Sequence, residues 1–382
     1  MRLRTILFWA HLACGVAAGA VIFIMSVTGV LLTYQRQITA WADTRGFRIE
    51  PTPNRMTADA ILSAVASARP DLSPTALVVR SEPTAPASLA IGAGRQLFVD
   101  PYTGAVLGEG SGQGVRAFFR VVVEWHRYLA ASGASRPLGR AVTGASNLAF
   151  LFIVMSGLFL WWPRSWKWGA LRAITWFKGG LSGKARDFNW HNTIGFWSAI
   201  PLAIIVAGGV VISYPWATAL VYRAYGEVPP APARAAAAQA GQKPSPSVQG
   251  LPFETMIRTA GAEMPDWKTI SVALSTPSAR RVVLTLDSGD GGQPQRRATF
   301  TLDRVTGAPV RFEGFSDQSP GRRARTWLRF AHTGEIYGLA GQTAAGVVTA
   351  GGAVLVWTGL ALALRRFRRW RKPAADVMAN AA

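Results

Sequence analysis

Four histidines carry the strongest chemical signal in this sequence, because all of them lie in or beside long apolar stretches. His11 stands in "FWAHLACG", His126 in "EWHRYL", His191 in "DFNWHNTIGFW" and His332 in "AHTGEIYG". An imidazole at membrane depth must find a partner or lose its hydration uncompensated, so such residues are read first as functional. Cys14 is the single cysteine, which excludes disulfides, CxxC redox pairs, thiolate iron–sulfur clusters and covalent CxxCH haem attachment. Any metal is therefore held by nitrogen or oxygen.

The elements that must position these rings are membrane helices. Of 382 residues, 49% are hydrophobic, and the mean hydropathy is +0.19. Four apolar stretches, at 6–34, 141–162, 188–216 and 341–364, are long enough for the roughly 20 helical residues that span a bilayer core. The first exceeds the length of a signal-peptide core and is read as a retained anchor. The net charge of +21 invites a nucleic-acid reading, but its distribution does not support one. Arg2 and Arg4 precede the first span, six Lys and Arg crowd the connection between the second and third, and "RRFRRWRK" follows the fourth. By the positive-inside rule both termini and the middle connection are cytoplasmic, and the two long connections lie outside, which the family resemblance named below makes the periplasmic side of a bacterial inner membrane.

The chain also reads as an internal duplication. A shift of 180 residues lays His11 on His191, Gly15 on Gly195, Gly29 on Gly209 and Tyr34 on Tyr214. Farther on, His126 corresponds to His332 and Gly157 to Gly359, while "VDPYTGAV" answers "LDRVTGAPV". Each long connection is expected to hold an amphipathic helix and about three strands, a small α+β module. The expected order is transmembrane helix 1 (1–34), module 1 (35–114), an interfacial helix with transmembrane helix 2 (115–162), a cytoplasmic loop (163–187) and transmembrane helix 3 (188–216). A Pro/Ala-rich linker with module 2 (217–319), an interfacial helix with transmembrane helix 4 (320–364) and a cytoplasmic tail (365–382) complete it.

Symmetry places the histidines on two levels, His11 facing His191 and His126 facing His332. Two facing imidazoles are what a non-covalent bis-histidine haem b requires, so two haems are expected. Gly15 and Gly195, at i+4 from their histidines, would give a flat macrocycle clearance. Arg127 and Arg329 could hold propionates, and Asn192, Thr333 or Glu335 could orient the imidazoles. Two alternatives stay open at this point. The rings could pack or sense pH in a non-redox scaffold or sensor, or bind zinc or copper, although a structural zinc site wants its ligands in one place.

With "FWAHLACG", "WHNTIG", "EWHRYL", "AHTGEIYG" and "SGLFLWWPR" in this order, the sequence resembles the PepSY-associated transmembrane family over nearly its whole length. Its full-length architecture is most similar to FoxB-type inner-membrane ferric-siderophore reductases. That resemblance implies PepSY modules outside the membrane, two haems, and reduction of a ferric siderophore to release Fe(II). Quinol or a cytoplasmic reductase would be the electron donor and membrane lipid the surrounding partner. A quinol-linked transfer to some other periplasmic acceptor is the redox alternative.

Overall fold

The computed structural model describes residues 3–92, 94–163, 166–230, 250–274 and 280–370. Most of the expected linker, and all of the tail beyond residue 370, lie outside the described residues. Helices in the first half are α1 (Leu3–Leu32), α2 (Gln35–Thr44), α3 (Ala58–Ala68), α4 (Gln113–Tyr128), α5 (Arg136–Trp161) and α6 (Trp168–Thr175). The second half supplies α7 (Gly183–Ser213), α8 (Pro215–Ala224), α9 (Phe253–Glu263), α10 (Pro320–His332) and α11 (Gly338–Trp370). The chain divides into two compact units. One takes in Met1–Gln35, Phe118–Thr218 and Leu328–Ala382; the other takes in Arg36–Ala117 and Ala219–Trp327.

In the first unit, α1, α5, α7 and α11 are long and apolar enough to cross a membrane. They pack in the cyclic order α1, α5, α7, α11, each touching two neighbours. With no water to compete for backbone groups, close approach governs such packing, and small residues permit it. At Gly346 an added Cβ would stand 3.0 Å from the side chain of Thr33, just past the end of α1. Helix α7 stops at Ser213 because Pro215 disfavours helical geometry in the residue before it, and Tyr214 is extended at φ −120°. The third span therefore ends before Trp216 and begins at Gly183, earlier than expected. The fourth runs on through Arg365, Arg366, Arg368 and Arg369 instead of ending at Leu364. Arg365 and Arg186 both pair with Asp187, whose side chain is 1% exposed, and so tie α11 to α7. The connection expected to be a plain loop contains α6.

The second unit is one antiparallel sheet of eight strands in the order β4-β3-β2-β1-β5-β6-β7-β8. Its strands are β1 (Ala76–Arg80), β2 (Ala87–Ala90), β3 (Gln96–Val99), β4 (Val106–Gly108), β5 (Thr269–Ala273), β6 (Arg281–Asp287), β7 (Arg297–Asp303) and β8 (Pro309–Glu313). The expectation of two separate three-stranded modules is corrected twice. Each half supplies four strands, and β1 pairs with β5 to fuse them, with Val78 opposite Ser271 at the centre. Alternation along β6 and β7 buries Val282, Leu284, Leu286, Phe300 and Leu302 against Ile61 and Val65 of α3 and Met256 and Ala260 of α9, in one shared core.

Matching local bonds recur in the two halves. Asp100 Oδ1 accepts from the amides of Tyr102 and Thr103, and Asp303 Oδ1 from those of Val305 and Thr306. Each turn then needs the positive φ that glycine supplies, +72° at Gly104 and +71° at Gly307. The Asp303 carboxyl is held well below its usual range, first by the Thr306 amide and then by Arg280. Beside these turns, where the Met56 amide donates to Pro101 O and the Leu251 amide to Arg304 O, α3 and α9 cap each other. Glu254 accepts from the Ala58 amide at 2.8 Å, and Asp59 accepts from the amides of Phe253 and Glu254 at 3.0 and 2.9 Å. Each carboxylate thus satisfies the orphan N–H groups of the other helix.

Replacement of either carboxylate should unfold both halves together. Asp59→Ala and Glu254→Ala are each expected to cost about 1 kcal/mol, in the range of a lost helix cap. Amide hydrogen exchange of the detergent-solubilised protein, read strand by strand, measures it; a loss of protection confined to the half that carries the substitution would contradict a shared core.

Candidate functional site: two pairs of imidazoles

The four histidines come together in twos, within the membrane unit. His126, two residues before the end of α4, and His332, the last residue of α10, have ring centroids 6.4 Å apart with an interplanar angle of 55°. His11 on α1 and His191 on α7, diagonal helices of the bundle, lie close enough to interact electrostatically. Along α1, the stretch from His11 to Thr28, which touches His126, is about 25 Å of helix. The two pairs therefore occupy two levels.

Hydrogen bonding fixes the tautomer of every ring. His332 Nδ1 lies 2.7 Å from the carbonyl oxygen of Ile205, which can only accept, so Nδ1 carries the proton. His11 Nδ1 meets Ser156 Oγ at 2.9 Å, His126 Nδ1 meets Thr28 Oγ1 at 2.9 Å, and His191 Nδ1 meets Thr358 Oγ1 at 3.0 Å. Each of these hydroxyls has one proton and donates it to its own helix. Ser156 gives it to Ile153 O, Thr28 to Ile24 O, and Thr358 to Val354 O. The hydroxyl must then accept from the imidazole. All four rings are accordingly Nδ1–H tautomers, and no Nε2 has a hydrogen-bond partner among the described residues. That leaves a lone pair on each Nε2, as a metal ligand needs. Burial pushes the pKa of His126 down to about 4, with His332 adding to the effect, and burial lowers that of His332 as well. Both rings are neutral at pH 7.

The separation of the His126 and His332 rings suits a shared metal. Metal–imidazole bonds of about 2.0 Å, with about 1.1 Å from nitrogen to ring centre, put two coaxial ligands about 6.2 Å apart, centroid to centroid. Their interplanar angle is unconstrained, since each ring can turn about the common axis. Among the described residues no His, Cys, Asp or Glu side chains gather in threes that could hold a metal by themselves.

Glycines other than Gly15 and Gly195 seat the imidazole rings. A Cβ at Gly157 or Gly359 would stand 3.3 Å from Cε1 of His11 or His191, and one at Gly29 or Gly209 would stand 3.5 or 3.2 Å from Cε1 of His126 or His332. These sites lie on the neighbouring helix. Gly15 and Gly195 touch no imidazole: a Cβ at Gly15 would meet nothing within 4 Å, and one at Gly195 only Leu355 at 3.7 Å. That leaves both positions open on the faces of the helices that carry His11 and His191. Arg127 and Arg329 are exposed, each over a neighbouring ring, Tyr128 and Phe330, without an acidic partner among the described residues.

The expected orienting residues are corrected. Asn192 donates to Phe188 O on its own helix, and Thr333 donates to Phe330 O and Glu335, so these groups do not hold the imidazoles. The residues that do, Thr28, Ser156 and Thr358, are small hydroxyls inside apolar helices, where a partner on a neighbouring helix cannot be read from spacing. Trp161 was also missed. It stacks on Phe196 at 4.3 Å, one turn beyond Gly157, and its buried Nε1 has no hydrogen-bond partner among the described residues.

The sequence matches the PepSY-associated TM region over residues 8–366, a stretch that contains all four histidines and both halves of the sheet. The chain belongs to the PepSY-associated transmembrane family. This member is a multi-pass membrane protein with four apolar helices. No curated protein matches it significantly.

Just beyond His126 the backbone is strained: Leu129 and Ala130 have φ of +52° and +58°, where a Cβ is disfavoured. Ala130→Gly should relieve that strain and stabilise the fold by up to about 1 kcal/mol. A raised denaturant midpoint measures it, and a lowered one would mean that the Ala130 methyl group contributes more than its strain costs.

Proposed function

We propose that this PepSY-associated protein is a di-haem b oxidoreductase of the bacterial inner membrane, passing electrons to a ferric siderophore in the periplasm so that iron is released as Fe(II). The observation that carries the reading is the pair His126 and His332, with centroids 6.4 Å apart and both free nitrogens being Nε2. Haem b would supply one-electron transfer between its ferric and ferrous states.

The remaining work falls to the side chains of this chain. His126 and His332 would hold one haem and His11 and His191 the other. Thr28, Ser156, Thr358 and the Ile205 carbonyl hold each Nδ1 proton, which keeps the rings from rotating and raises the basicity of Nε2. Gly29, Gly157, Gly209 and Gly359 let those rings lie against the neighbouring helix, and the open positions at Gly15 and Gly195 match the clearance a flat macrocycle needs. The unpaired guanidinium groups of Arg127 and Arg329 suit propionate carboxylates. Neutral imidazoles in a bundle that excludes water favour electron transfer without proton uptake at the ligands.

The substrate reading rests on the family resemblance and on coordination chemistry. Hard oxygen donors hold Fe(III) strongly and Fe(II) weakly, so a single electron loosens the chelate. A protein with this task needs no nucleophile and no acid–base pair. With the basic residues inside, electrons would enter from quinol or a cytoplasmic reductase at the level of His11 and His191, and leave at the level of His126 and His332.

Purified protein, expressed with haem supply, is expected to show a Soret band and, on dithionite reduction, sharp α and β bands for two haems per chain. His332→Ala and His191→Ala should each remove one haem and leave the other. A protein without a Soret band would exclude the haem reading and favour the scaffold or sensor. Thr358→Val should keep the haem but alter the low-spin bands and shift one potential, because the ring loses its Nδ1 acceptor. Mixing the reduced protein with ferric hydroxamate should reoxidise it within the mixing experiment; an unchanged reduced spectrum would point to an acceptor other than iron.

A further inference from the structure

The connection between α5 and α7 carries a feature that electron transfer does not use. Beside α6 lies a cavity of about 470 Å³, lined by Gly169, Arg172, Ala173, Trp176, Phe177, Lys178 and Gly179. Its two cationic side chains, Arg172 and Lys178, have no acidic or hydrogen-bonding partner among the described residues. No Asp or Glu occurs anywhere from residue 162 to residue 186. The wall is a fixed structure: Asn189, 5% exposed, accepts from the Lys178 amide at 3.0 Å and donates to Trp176 O at 3.0 Å. Thr193 also donates to Trp176 O, and Trp197 Nε1 donates to Thr175 O at 2.9 Å. Helix α7 thus holds the wall from Thr175 to Lys178 while leaving the two charges free.

The surroundings decide what those charges meet. Trp168, Trp176 and Phe177 are 68%, 55% and 60% exposed, and Trp197 of α7 is 64% exposed. Aromatic side chains this exposed at the end of membrane-spanning helices belong at the level of lipid headgroups, where an amphipathic ring has both phases within reach. A polar cavity there, with two unpaired cations and aromatic walls, fits a phosphodiester attached to acyl chains better than a free anion, whose binding would leave the aromatic wall uncovered. We propose that the cavity beside α6 binds the headgroup of an anionic phospholipid, its phosphate between Arg172 and Lys178 and its chains along Trp176 and Phe177. This site is independent of haem.

Native mass spectrometry of the full-length protein in mild detergent tests it, with phosphatidylglycerol and phosphatidylcholine added in equal amounts. The wild type should retain phosphatidylglycerol with a preference of roughly thirtyfold, as two cations near a headgroup imply at about 1 kcal/mol each. Arg172→Gln with Lys178→Gln should abolish that preference, whereas Arg172→Lys with Lys178→Arg should keep most of it. Arg368→Gln with Arg369→Gln, which removes as much charge from the end of α11, should leave it unchanged. Equal retention of both lipids by the wild type would overturn the proposal, as would an equal loss in the α11 variant, which would mean diffuse charge without a site. Displacement of the lipid by inorganic phosphate or glycerophosphoglycerol at equal concentration would assign the cavity to a soluble anion instead.

Discussion

The constraint on which the membrane unit depends is the hydrogen bond from each imidazole Nδ1 to an oxygen on a neighbouring helix. An imidazole can be buried cheaply only if its proton is accepted, and a hydroxyl inside an apolar helix accepts only when its own proton is already given away. Ser156, Thr28 and Thr358 meet both conditions through carbonyls of their own helices, and Ile205 offers a carbonyl directly. These bonds fix register: α1 against α5, α7 against α11, α4 against α1 and α10 against α7. The glycines at 29, 157, 209 and 359 follow from that register, since a side chain at any of them would push a ring off its acceptor. The free Nε2 is then a product of packing.

The sheet-bearing unit obeys a comparable rule with different groups. Helix ends leave N–H groups that need acceptors, and strand edges leave a whole row of them. Asp59 and Glu254 answer the first need across the two halves, and the β1–β5 pairing answers the second. Neither half is self-sufficient in hydrogen bonds, so one core forms where two would otherwise be expected.

Much of this was legible because similar stretches recur along the sequence. The four histidines stand at corresponding positions, and apolar length alone located the spans to within a few residues. The two aspartates of the strand turns were visible through the repeated Thr-Gly pairs at 103–104 and 306–307. What the sequence hid depends on contacts between helices. Gly15 and Gly195 were singled out because i+4 spacing describes a single helix face, whereas the glycines that touch the rings stand on the neighbouring helix. The strands β2, "ASLA", and β5, "TISVA", were missed because their small residues show little alternation; their place comes from pairing with β1 on both sides. Helix α6 was masked by the charge and tryptophan content that marked its segment as a cytoplasmic loop.

The reciprocal bonds between the halves have a further meaning for the molecule's architecture. Val78 faces Ser271, and each helix end is capped by a residue of the other half, so the sheet is built like the interface of a symmetric dimer contained in one chain. A half-length version would carry an open β1 edge and uncapped amides at α3, and a second copy of itself would satisfy both through the same surface. Joining the halves removes the concentration dependence of that encounter.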